Sequence, residues 1–104
     1  MHITTSEAIT RLGNSSKEFL TLFEHGSLSV EVYKPETRDK QKPHERDEIY
    51  VIISGKGSFI NNGEQVNCKA GDFLFVRAGI DHRFINFTTD FATWVFFYGP
   101  KGGE

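Results

Sequence analysis

The chain has 104 residues, a formal net charge of -2 and one cysteine, Cys68, which bounds it to one domain with one modest core and no internal disulfide. No basic run is present to neutralise phosphates, since Arg38 to Lys42 mixes in Asp39 and Gln41, and this excludes nucleic acid as an expected partner. No apolar run approaches the length of a membrane span and the N-terminus lacks a charged start followed by an apolar block, so no membrane partner and a reducing cytoplasm are expected.

Residues Met1 to Leu12 carry a helical pattern. Thr4 and Glu7 have capping-box spacing, Ala8, Ile9 and Leu12 share one helical face, and Gly13 is placed to end the helix. From Lys17 the period changes to two. Phe19 to Phe23 reads as a strand, and Glu24 to Ser27 as a hairpin turn. Leu28, Val30 and Val32 alternate with Ser29, Glu31 and Tyr33, which predicts a half-buried strand with its aliphatic face inward. Pro35 to Pro43 is polar and bounded by prolines, so it is a loop.

Further strands are predicted over Glu48 to Ser54, Ser58 to Ile60, Glu64 to Cys68, Phe73 to Val76, His82 to Phe87 and Phe91 to Tyr98. Gly55-Lys56-Gly57, Asn61-Asn62-Gly63 and Lys69 to Asp72 are the turns between them. Gly99 to Glu104 reads as a loose tail. Ten phenylalanines add to the β leaning, and short strands with turns at regular intervals mean an antiparallel sandwich or small barrel.

The stretch from Pro43 to Gly57 is central. His44 and Glu48 stand at the mouth of a strand, as the parts of a metal site do, and His82 is a candidate for the other half. The blander alternatives are a rim salt bridge of His44 and Glu48 with Arg46 or Lys42, and a buried His82 bonded to backbone. Asp47 reads as a turn or supporting acceptor, Asp81 as shaping the bend before His82, and His2 and His25 as solvent-facing. Cys68 reads as a small buried apolar residue, and Tyr50, Phe84, Trp94 and Phe96 as core or pocket wall.

Two spacings resemble the cupin family. His44, three residues, Glu48, six residues and Gly55 match the second half of its first motif. Gly71, Gly79, His82 and Asn86 fall at the spacings of its second motif, with Arg77 where that motif has proline. The resemblance implies an all-β cupin jelly-roll barrel, here with a short N-terminal helix, and commonly a homodimer. It also implies that His44, Glu48 and His82 point into the barrel and bind a divalent transition metal: zinc, iron, manganese or nickel. The family's first histidine falls on Lys42, which cannot ligate a metal while protonated. Gln41 beside it offers an amide oxygen instead, although position 42 is the one expected to face inward.

Two functions follow. One is a metal-dependent domain acting on a small molecule, with oxygenase, isomerase or lyase-type chemistry open. The other is a non-catalytic small-molecule or metal-binding sensor module of the same fold. Tyr50 and Glu48 are the only obvious proton-moving groups, so the sequence leaves open whether the chain is an enzyme. Metal binding is expected to weaken below about pH 6, near the ordinary histidine pKa.

Overall fold

The runs of period two become eight antiparallel strands in the computed structural model, which describes residues 1–104. Helix α1 (Thr5–Ser15) is followed by β1 (Phe19–His25), β2 (Leu28–Tyr33), β3 (Asp47–Ser54), β4 (Lys56–Asn61), β5 (Glu64–Lys69), β6 (Phe73–Val76), β7 (His82–Ile85) and β8 (Ala92–Tyr98). They form a five-stranded sheet, β1-β2-β8-β3-β6, and a three-stranded sheet, β5-β4-β7. From β3 onward the chain passes back and forth between the two, as in a jelly roll. No ladder joins the sheets, so they stack as an open sandwich and do not close into the expected barrel. Corners break the ladders where the chain crosses over. Gly55 is one of them: its φ is +77°, and a Cβ there would lie 2.8 Å from the Phe91 Cα.

Between the sheets lies the main core. Tyr33, Tyr50, Ile52, Val76 and Val95 of the large sheet meet Phe59, Cys68 and Phe84 of the small one, with Phe91 from the loop before β8. Its aromatic rings pack edge-on or tilted, Tyr50 to Phe84 at 5.0 Å and Phe59 to Phe84 at 4.7 Å between centroids. Cys68 is buried among them, as expected.

A second, smaller cluster lies on the opposite face of the large sheet. Ala8 and Leu12 of α1 pack on Val32, with Ile3, Ile9, Leu20, Leu22, Ile53 and Trp94 around them. This corrects the reading of β2. The alternation is right, but the aliphatic side faces α1 and the outside, while Ser29, Glu31 and Tyr33 face the interior. A helix covering one face of a sheet produces the same apolar pattern as a core does. Trp94 and Phe96 likewise point outward and are not walls of the interior; they stack on each other at 6.5 Å.

Thr4 caps α1 by accepting from the Glu7 amide at 3.0 Å. Gly13 does not end the helix. It continues to Ser15, whose hydroxyl donates to the Leu12 carbonyl, and Ser16 turns it off at φ +59°. The C-terminal residues are not loose either. The Glu104 amide donates to Asp47 at 2.9 Å and the Gly102 amide to the Glu45 carbonyl at 2.7 Å. No helix is long and apolar enough to cross a membrane.

Candidate metal centre

Three side chains converge at one end of the interior. Glu48 is the second residue of β3, and the strand's alternation turns it inward with Tyr50 and Ile52. His82 opens β7 on the facing sheet. His44 arrives from the loop before β3, which is pinned because its carbonyl accepts from the Gly79 amide at 2.7 Å. Gly79 holds a φ of +80° that suits few other residues, which accounts for the glycine at that spacing. His44, Glu48 and His82 bring one ligand-type atom each within 4.8 Å of one another.

Glu48 and His82 are about 1% exposed, and His44 is half-buried. His44 Nδ1 lies 2.9 Å from Glu48 Oε1, and His82 Nε2 lies 2.8 Å from that same oxygen. His82 Nδ1 is 2.9 Å from the Ile80 carbonyl, which can only accept, so Nδ1 carries the proton and Nε2 turns to Glu48. Despite its closeness, Nε2 is not aligned to share a hydrogen with the carboxylate, and both it and Glu48 Oε2 are buried without a hydrogen-bond partner. Orphaned polar atoms of this kind are costly and uncommon.

The electrostatics follow from this pairing. Burial alone would push the Glu48 carboxyl up, but the two imidazoles beside it prevail and hold it below the ordinary value. Burial alone would push His82 down, but the Glu48 carboxylate and the Ile80 carbonyl raise it above the ordinary value.

Of the two blander readings, the salt bridge with Arg46 or Lys42 is not found, and the backbone bond of His82 is. Arg46 donates to the Ser27 carbonyl instead of pairing with His44 or Glu48, and Lys42 is exposed, not inward, with no ion pair. His82 does bond to backbone, but with only one of its two nitrogens. Gln41 is half-buried beside the site, and its amide oxygen accepts from the Tyr50 hydroxyl at 2.9 Å while its amide nitrogen donates to Asp39 at 2.8 Å. Burial above all, then Glu48, pushes the Tyr50 hydroxyl well above its ordinary value. Asp47 supports the site from behind, accepting from the Ala78 and Glu104 amides. Asp81 lies exposed against Arg83, and His2 and His25 are exposed.

Sequence reasoning missed the surroundings. A hollow of about 320 Å³ opens beside His44, walled by Phe19, Tyr33, Val95 and Phe97, with Glu18, Glu31, Lys40 and Gln41 supplying its polar groups. Phe97 meets the His44 ring edge-on at 4.9 Å. Glu31 was visible in the alternation of β2 but stood on the side read as solvent-facing. Its carboxyl is raised, chiefly by burial, with His44 pulling it back.

A family model for the cupin domain matches residues 29–98. An uncharacterised protein of Streptomyces coelicolor is 31% identical over 85 residues, covering 80% of this chain and 81% of that one. Among solved structures, a cupin-2 domain-containing protein from Shewanella frigidimarina superposes with a TM-score of 0.68 at 12% identity, covering 88% of this chain and 91% of its own. KdgF from Halomonas sp. superposes with a TM-score of 0.66 at 16% identity, over 79% of this chain and 78% of its own. At these identities the structures speak for the fold alone.

Proposed function

Because the chain belongs to the cupin family, we propose that His44, Glu48 and His82 hold one divalent transition metal and that the hollow beside them receives a small molecule. The observation that carries this is the pair of buried, unpartnered atoms, Glu48 Oε2 and His82 Nε2, in a cluster of three ligand-type groups. Two imidazoles and a carboxylate suit zinc, iron, manganese or nickel, and leave coordination positions open. When bound, such a metal supplies Lewis acidity at the mouth of the hollow. Gln41 offers its amide oxygen as a further ligand: that oxygen accepts from Tyr50 with one lone pair and keeps the other.

Isomerase or lyase-type chemistry would need a group free to move a proton. Glu48 is a proposed ligand, and the Tyr50 hydroxyl is held protonated and donating to Gln41. That observation speaks against proton transfer by these two groups and leaves Glu31, in the hollow beside His44, as the carboxyl placed for it; the second reading, a binding or sensor module, uses the same hollow without it. A buried, unpaired Cys68 fits a reducing cytoplasm.

Elemental analysis of the purified protein after loading is expected to give one metal per chain. The pH dependence follows from His82. Its pKa is raised in the metal-free fold, so its proton contributes stability in full below about 6.5, and that contribution fades as pH rises through the raised folded value. Metal must displace that proton. The melting temperature gained on adding metal should therefore grow as pH rises through and beyond 6.5, a higher window than an unperturbed histidine would give. Failure to load metal at any pH, or a gain independent of pH, speaks against the site.

The assembly belongs to the same proposal. Antiparallel register sets Val30, Phe96, Ile49 and Phe75 side by side across β2, β8, β3 and β6, with Val32, Trp94, Val51 and Phe73 in the next row. Helix α1 covers the Val32 end, with Ile9 of the helix and Ile3 before it packed against the same cluster. At the other end Phe73 is 64% exposed and Phe75 is 40% exposed. A second copy laid on this face makes an isologous dimer. Sedimentation equilibrium is expected to show dimer for the wild type and monomer for Phe75→Glu; monomer for both at micromolar concentration removes the idea.

A further inference from the structure

Glu31 is out of place by ordinary rules. It is half-buried on the interior side of β2, paired in register with Thr21 on one side and Val95 on the other. Its nearest hydrogen-bond donor is the Thr21 hydroxyl, at 3.5 Å, the limit of a useful contact. It takes part in no ion pair, unlike Glu7, Glu45 and Glu48. Its carboxylate is thus left, apart from that one long contact, open to the hollow it faces.

Its position gives the reason. Glu31 lines the hollow of Phe19, Tyr33, Val95 and Phe97, and it also lines the adjoining hollow of Ser29, Arg46 and Lys101. His44 and Phe97 border both. Glu31 is thus an acceptor standing between two hollows that adjoin along His44 and Phe97, at the edge of the candidate metal centre.

We propose that Glu31 is the specificity-determining residue of these hollows, accepting a hydrogen bond from a hydroxyl of a neutral, hydroxylated small molecule. The proposal rests on the ligand-binding reading above. On the side nearest the aromatic walls an anionic group would meet Glu31 and Glu18 against one cation, Lys40, while on the other side Glu45 stands with Arg46 and Lys101. A cationic ligand would meet Lys40 and, in the loaded protein, the charge of the metal. A hydroxyl satisfies the carboxylate without either repulsion, and Phe19, Tyr33 and Phe97 take the carbon skeleton.

The test uses three small probes that differ in charge: propylene glycol, lactate and ethanolamine. Each is titrated by nuclear magnetic resonance into the full chain, metal-free and nickel-loaded, as wild type, Glu31→Gln and Glu31→Leu. Propylene glycol is expected to bind wild type more tightly than the other two. Glu31→Leu should weaken it about tenfold or more, the usual loss for a hydrogen bond to a charged group. Nickel stoichiometry should not change. The melting temperature of Glu31→Gln should equal or exceed that of wild type, as when a strained functional group is removed. A fall in melting temperature with unchanged glycol binding means that Glu31 merely holds Thr21, and overturns the proposal. So does a preference for lactate or ethanolamine in the metal-free protein, where neither can chelate nickel, or no glycol binding to wild type. Loss of nickel binding alone overturns the metal reading, not this one, because the metal-free titration still reports on the hollows.

Discussion

Replacing His82 with Ala is expected to lower metal affinity by about a hundredfold or more while the fold survives. Changing a group that merely supports a metal ligand already costs up to about that much, and His82 is itself a proposed ligand. The remaining pair, His44 and Glu48, would offer the metal two ligands in place of three. The sandwich is held by Tyr50, Phe59, Phe84 and Phe91, which His82 only flanks, with ring centroids 6.1 Å from Tyr50 and 6.3 Å from Phe59. Loss of the buried ring and of one of the two imidazoles beside Glu48 should cost the metal-free protein about 3 kcal/mol, within the stability of an ordinary domain. His25→Ala is the control. That residue is exposed at the end of β1, stacked only on Phe23 at 6.4 Å, and its loss should change neither metal content nor melting temperature. Elemental analysis and thermal melts of both variants, with and without added metal, decide it. Wild-type loading in His82→Ala would falsify the ligand role.

The site was legible because its parts are tied to turns. Gly55 and Gly79 stand where the chain must adopt a positive φ, and they fix how far His44, Glu48 and His82 lie from the corners of the fold. Spacing along the sequence therefore carried over into space. What surrounds the site was not legible, for two physical reasons. The alternation of β2 marks two faces but not which of them meets the other sheet, and α1 supplies an apolar cover that imitates a core. This hid Glu31 on the side taken for solvent. Second, contacts far apart in the chain leave no periodic trace. The Asp47 carboxylate holds both Ala78 and Glu104, so a stretch of glycines that reads as a loose tail is anchored across 57 positions.

Asp39 is the strongest case of the second kind, and Asp39→Ala is expected to cost about 3 kcal/mol or more. It sits in a polar loop with no motif, yet its carboxylate accepts four hydrogen bonds: from the Tyr33 hydroxyl at 2.7 Å, the Gln41 amide at 2.9 Å, the Gln41 side chain at 2.8 Å and the Phe84 amide at 2.8 Å. Tyr33 belongs to the large sheet and Phe84 to the small one, and both are buried. Asp39 therefore ties the two sheets together through the loop that leads to His44, where no strand ladder does so. Removing it strips partners from four part-buried donors, and those that water cannot reach cost roughly 1–3 kcal/mol each. Asp39→Asn keeps an oxygen acceptor and should lose less than Ala. Gln41 would be freed from one of its anchors, but the Gly79 amide still holds the His44 carbonyl. Metal affinity should consequently fall in Asp39→Ala, but less than in His82→Ala. Chemical denaturation of the metal-free variants measures the first effect and metal titration the second. A loss below about 0.5 kcal/mol, the range of an ordinary surface substitution, would mean that the loop is not what couples the sheets.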